Sequence, residues 1–253
     1  MDGISHALTL DGVAATGEPQ ILAKDQIRVH ALSPNPAQNL LIDELVELKT
    51  EIESKVGISL STASKPIDVY LFKDELSFRD FTAQSNTVFS DRRAFFVRSK
   101  DALSVYGFWG MQVAEGLRHE VTHGYLHGAF PQLDLWVDEG LAEYFEVNPD
   151  AQGVNSAHVR LLVELIQQGN WGPSLQRLES ITDPTQLTQI DYAESWLWVH
   201  FLMSSPIGRE VLKTGLTSAG SIDRVPWSVE IAHLIGNVEQ PLLDHLAQVT
   251  QHR

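Results

Sequence analysis

The sequence predicts an α+β fold, with a mixed sheet and helices in its N-terminal part and a mostly helical C-terminal part. Three observations lead there. Short runs rich in β-branched and aromatic residues end before residue 110, the clearest being Ile67-Asp-Val-Tyr-Leu-Phe72 behind Pro66. Beyond residue 110, apolar residues recur at helical spacing. Neither an internal repeat nor a low-complexity segment interrupts this order.

The elements follow in chain order. Weak strand signals cover Ala7–Thr16 and Gln26–Ala31, with turn cues at Asp11-Gly12 and Gly17. Ser33-Pro-Asn-Pro36 introduces an amphipathic helix with Leu40, Leu41, Leu45, Leu48 and Ile52 on one face. The strand Ile67–Phe72 precedes a helix near Glu75–Gln84. Arg93 to Tyr106 reads as strand, turn and strand around Ser99-Lys-Asp101. From Met111 to Leu126 there is no proline, and Val113, Leu117, Val121 and Tyr125 form an i+4 stripe. Gly116 costs that helix roughly 1 kcal/mol relative to alanine, which packing has to offset. Ala129-Phe130-Pro131 breaks it. A second helix starts near Asp134 as its cap, runs to about Glu146 and stops at Asn148-Pro149. Ala157–Gln168 and Ser195–Ser204 are among the helices that complete the C-terminal part.

Composition narrows the function classes. With 253 residues and 43% hydrophobic content, the chain can bury a full core as one domain with two lobes. A formal net charge of −15 argues against a nucleic-acid partner. The absence of cysteine excludes structural disulfides and thiolate metal ligands. No apolar run approaches the roughly 20 residues that span a bilayer. The start, Met1-Asp-Gly-Ile-Ser-His6, lacks the basic and apolar regions of a signal peptide, as a chain trimmed of one also would.

Chemistry concentrates in two segments. Residues 119–123 read His-Glu-Val-Thr-His, and residues 136–144 read Trp-Val-Asp-Glu-Gly-Leu-Ala-Glu-Tyr. Side chains at i and i+4 of a helix share a face, so His119 and His123 can grip one ion. Neutral imidazole is a preferred zinc ligand. Glu120 points to the flank of that pair, where a general base for metal-assisted hydrolysis belongs. A catalytic zinc keeps three protein ligands and one open position, and Glu139 is the expected third. Glu143, one turn on, can hydrogen-bond a ligand histidine. His127 continues the histidine stripe and is expected at the surface or beside a ligand. The expectation is one Zn2+ per chain, held by His119, His123 and Glu139.

These motifs resemble the gluzincin metallopeptidases, whose third ligand is a glutamate on a helix after the two-histidine helix. Trp136-Val-Asp-Glu-Gly-Leu-Ala142 is similar to the glutamate helix of the large zinc aminopeptidases. A closer likeness is to bacterial peptidase-MA-like domains of unassigned role. They share the Arg-His-Glu-x-Thr-His core (here Arg118–His123), the segment Glu139–Phe145, and a later Tyr-Ala-x-Ser-Trp, here Tyr192 to Trp196. The longer metzincin pattern fails, since glycine and histidine would stand where Leu126 and Ala129 do. The resemblance implies a two-lobed zincin-like fold with the metal in the crevice between lobes. Its sections would be 1–64 (strands and amphipathic helix), 65–150 (core with the active-site and glutamate helices) and 151–253 (helical lobe), with 65–253 as one catalytic unit. It also implies that Tyr192 stabilises the oxyanion of a tetrahedral intermediate. The alternative for Tyr192 is a core anchor, and His200, eight residues on, reads as a satisfied core histidine.

The Gly-x-Met-Glu-Asn segment with which the aminopeptidases bind a free amine has no counterpart upstream of His119. Endopeptidase action is therefore expected, on peptide or protein substrates that add to an edge strand in the stretch Arg93–Tyr106. The alternatives are a protease-derived zinc scaffold of little activity, an aminopeptidase, or a hydrolase of non-peptide amides. The intact Glu120 favours an enzyme. The resemblance further implies an exported or cell-envelope location; the sequence says nothing of oligomeric state.

Overall fold

A computed structural model describes residues 20–31, 35–60, 65–84, 92–130 and 132–251. They form a mixed α/β structure in which a five-stranded sheet comes first and helices follow. The chain divides into two units, Met1–Thr50 with Ser61–Gly128, and Glu51–Leu60 with Ala129–Arg253.

The first unit is built on strands β1 (Gln20–Lys24), β2 (Ile27–Ala31), β3 (Ile67–Phe72), β4 (Ala94–Arg98) and β5 (Leu103–Phe108), in the order β1-β2-β3-β5-β4. β2, β3 and β5 run parallel, and β1 and β4 are antiparallel at the edges. The expected strand Ala7–Thr16 lies outside the described residues. β1 was not expected. Its hairpin to β2 turns through Asp25-Gln26, with Asp25 at φ 50°, and lacks the Asn-Gly or Asp-Gly signal of a two-residue loop.

Period-two alternation sorts the strands' residues onto two faces. On one face His30, Tyr70, Tyr106 and Phe95 stand in register across four strands, with successive rings 4.6, 5.0 and 4.9 Å apart. Helix α2 (Glu75–Gln84) covers part of that face with Phe78 and Phe81. The other face carries Ile67, Val69, Leu71 and Val105, all buried. Helix α3 (Val113–Ala129) lies on it. A Cβ at Gly124 would come within 2.9 Å of Ile67, so glycine is what permits this approach. Helix α1 (Gln38–Val56) buries Leu41, Leu45, Leu48 and Ile52. Leu40, expected on the same face, is instead 73% exposed, because the buried stripe runs through 41, 45, 48 and 52.

The second unit is helical: α4 (Leu135–Glu146), α5 (Ser156–Gln167), α6 (Leu175–Ser180), α7 (Gln189–Met203), α8 (Pro206–Thr217), α9 (Trp227–Ile235) and α10 (Glu239–Gln251). α7 is central, with Ala193, Trp196, Leu197, Val199 and Leu202 buried and α4, α5, α8 and α10 packed around it. It begins six residues before the expected Ser195. Thr188 and Asp191 form a reciprocal capping box there, which starts the helix in polar sequence. α4 and α7 pack backbone to backbone, since a Cβ at Gly140 would stand 2.5 Å from the Ser195 carbonyl oxygen.

Candidate metal centre

His119 and His123 are brought together by the way α3 is anchored. Leu117, Val121 and Tyr125 are buried on its core stripe, and the Tyr125 hydroxyl donates to the Leu45 carbonyl at 3.0 Å. Arg118 is 2% exposed, with its guanidinium 3.7 Å from Glu44. Those contacts fix the rotation of the helix and leave the histidines on a separate face. Their Nε2 atoms are 3.2 Å apart, with the rings at 75° to each other. Two nitrogens bound to one tetrahedral zinc at roughly 2.0–2.1 Å stand roughly 3.3–3.4 Å apart. The pair is thus already set at a spacing that suits a shared ion. Glu120, beside His119, is 6% exposed, as is His123.

His127 stacks on Phe96 of β4 at 5.6 Å and 11°, and its Nδ1 lies 3.2 Å from Arg98 Nη1. That nitrogen accepts from a guanidinium, and a fixed positive charge beside it opposes a dication. His127 is therefore a poorer ligand than its two neighbours up the helix.

On α4, Glu139 and Glu143 are 6% and 8% exposed. Asp134 holds the N-cap position, but its carboxylate does not cap the helix. It pairs with Arg224 and accepts from Trp227 Nε1 at 2.6 Å, so a tertiary contact replaces the expected cap. Gly140 is needed for the contact with Ser195, and this ties the turn carrying Glu139 to α7. Glu143 Oε2 accepts from His158 Nε2 at 2.7 Å and from Asn155 Nδ2 at 3.2 Å. Asn155 Nδ2 also donates to Glu146 Oε1 at 2.7 Å. Neither Asn155 nor His158 was singled out from the sequence. The one local signal was an asparagine ahead of the predicted helix at Ala157, the usual place of a cap.

One ligand atom each from His119, His123 and Glu139 lie within 4.8 Å of one another, close enough to hold a metal ion. The sets His123, His127, Asp138 and His119, Glu143, Glu146 meet the same limit. The His127–Arg98 contact weakens the first of these. In the second, both carboxylates already accept from Asn155 or His158. Two imidazoles and one carboxylate, without thiolate, form a donor set that suits zinc with a position left open.

Tyr192 stands half-buried in the first turns of α7. Gly140 meets Ser195, and Tyr144 lies 5.6 Å from His200 ring to ring, so α4 and α7 run in the same direction. Tyr192 is therefore level with the first turn of α4. Around it α7 is held by acidic groups. Burial alone would raise the Asp191 carboxyl, but hydrogen bonds from Thr188 and the Arg177 guanidinium outweigh it and hold it below the usual range. Glu194, fully buried, accepts from Ser174 N at 2.6 Å, Arg177 Nη2 at 2.8 Å and Trp171 Nε1 at 3.0 Å. His200, expected as a satisfied core residue, bonds His245 through Nδ1 at 2.8 Å, while its Nε2 is buried with no hydrogen-bond partner among the described residues.

No family model matches the chain, and no curated protein matches it either.

Proposed function

We propose that this protein is a zinc-dependent metallopeptidase that cuts within polypeptide chains. The observation that carries the reading is the His119–His123 pair, with Nε2 atoms 3.2 Å apart on a helix that also bears Glu120. Glu139 completes the ligand set. Zinc bound there supplies Lewis acidity and brings the ionisation of a water close to neutral pH. The Glu120 carboxylate takes the proton of the attacking water and carries it to the nitrogen of the leaving amine. The Tyr192 phenol donates a hydrogen bond to the oxygen on which negative charge develops. Glu143 orients a ligand histidine by accepting its second N–H.

β4 supports a peptide substrate. It is the edge of the sheet among the described strands, and Phe96 on it stacks near His123 at 6.1 Å. An extended chain adding to that edge would gain backbone hydrogen bonds with little demand on sequence.

The test is digestion of an unfolded protein by wild type and by Glu120→Gln, each with its zinc content measured. The variant should keep its zinc and lose hydrolysis by a factor of about 10² or more. Equal rates would remove Glu120 from the mechanism, and with it the reading as a peptidase.

A further inference from the structure

α10 packs on α7 and α5, and its buried side chains Leu242, Leu246 and Val249 recur at helical spacing. A pair of histidines adds a polar contact to this apolar stripe. His245 brings Nε2 to 2.8 Å from Nδ1 of His200 on α7. The two rings lie 5.0 Å apart, and the His245 ring also meets Phe201 at 5.6 Å. His200 further meets the rings of Trp196 at 5.3 Å and Tyr144 at 5.6 Å. Its Nε2 is buried with no hydrogen-bond partner among the described residues.

Neutral imidazoles make this contact with one N–H as donor and one lone pair as acceptor. A fully protonated pair has no lone pair left, and its two N–H groups would meet head-on. A single added proton instead places a charge in a buried, largely aromatic setting. The groups around the pair do not answer that charge. Asp150 is exposed and lines a cavity of about 520 Å³ with both histidines, but bonds neither ring. Asp244, one residue before His245, accepts from Gln240. His158 of α5 meets Trp196 at 5.9 Å and is engaged with Glu143. Arg209 of α8 donates to the Met203 carbonyl, and Arg177 of α6 pairs with Asp191 and Glu194 at the other end of α7. Burial keeps the Tyr144 hydroxyl protonated. Burial also holds His245 below its usual range; burial first and His245 second push His200 down to about 4.

α9 gives way to α10 through Gly236-Asn237-Val238, with Gly236 at φ 91°. This non-helical link lets α10 swing without unwinding α9. We infer that the His200–His245 contact is an acid-sensitive latch: neutral rings hold α10 on α7, and added protons release it while α7 stays folded. Release uncovers Leu242, Leu246 and Val249, so acid turns a closed helix layer into an exposed apolar surface. The sign follows from His200, which takes its proton near pH 4 when docked and near 6.5 once hydrated. Release is therefore favoured as pH falls through that window and not above it.

The experiment is hydrogen exchange read by mass spectrometry on the full chain at pH 7 and pH 4.5, metal-free at both and corrected for intrinsic exchange. Full hydration of His200 on release would favour opening about 60-fold more at pH 4.5 than at pH 7. Protection of α10 should fall by at least about tenfold, while α5 and α7 keep theirs to within about threefold. In the His200→Gln/His245→Gln double variant, whose amides can still hydrogen-bond, α10 should stay protected to within about threefold. The same acid loss in that variant overturns the latch, as does unchanged protection of α10 in wild type at pH 4.5. Loss of protection in α10 and α7 together also overturns it, because the whole helical unit then unfolds at once. Should the variant be unfolded at pH 7 by circular dichroism, the wild-type comparison of α10 with α7 decides alone.

Discussion

Replacing Gly140 by alanine isolates the contact that ties the Glu139 turn to α7. On helix propensity alone the change stabilises by roughly 1 kcal/mol. The added Cβ would, however, stand 2.5 Å from the Ser195 carbonyl oxygen, 2.8 Å from its carbon and 2.7 Å from Val199 Cγ2. Two of those atoms are backbone and cannot rotate away, so α4 and α7 must separate. Overpacking costs typically about 1–3 kcal/mol and more when a backbone has to shift. The net loss should be about 2 kcal/mol. Gly124→Ala is the control, since its Cβ would meet only side-chain atoms of Ile67, at 2.9, 3.2 and 3.2 Å, and no backbone atom. Urea unfolding of both variants in the metal-free state gives the comparison through the transition midpoint at constant m. Gly140→Ala should lower the midpoint clearly more than Gly124→Ala. A midpoint for Gly140→Ala at or above wild type would refute the close helix contact and the placement of Glu139 that depends on it.

Two further outcomes follow from single groups. Tyr192→Phe should lower kcat by about 10²-fold with KM and zinc content unchanged, since an oxyanion donor acts only in the transition state; a fall in Tm with normal kcat would make it a core anchor. His200 has its pKa pushed down from 6.5 to about 4, by burial first and by His245 second. The unfolded chain therefore binds a proton between those values that the folded protein refuses. Stability is intact above pH 6.5 and falls as pH drops toward 4, by an amount on the order of 3 kcal/mol from this group. Burial lowers His245 as well, so it adds in the same direction. Urea midpoints of metal-free wild type and His200→Gln across that window test this, with a shallower fall expected in the variant and equal slopes refuting it.

What could be read from the sequence was what local spacing controls. β3 and α2 fall on the expected residues, and α4 runs from beside Asp134 to Glu146 as expected. Leu117, Val121 and Tyr125 of the i+4 stripe of α3 are buried while Val113 is partly exposed, and the same spacing delivers the histidine pair. Long-range partners were not visible. Asp191 and Glu194 look like solvent-facing residues and hid the start of α7, yet both are buried against groups 14 to 23 residues earlier. Asp134 had the chemistry of a cap and was taken by Arg224 and Trp227, some 90 residues away. Asn155 and His158 reach Glu143 across 12 and 15 residues, and no periodicity announces such a pairing. Gly140 looked like one letter of a motif; its contact with Ser195 gives that letter a packing reason.

The proposed function depends on a single metal site made of His119, His123 and Glu139. Metal analysis of purified wild type and of Glu139→Ala, after equilibration with zinc and removal of free ion, tests it most directly. One zinc per chain is expected in wild type and little in the variant. Full zinc occupancy in Glu139→Ala, or none in wild type, would contradict it.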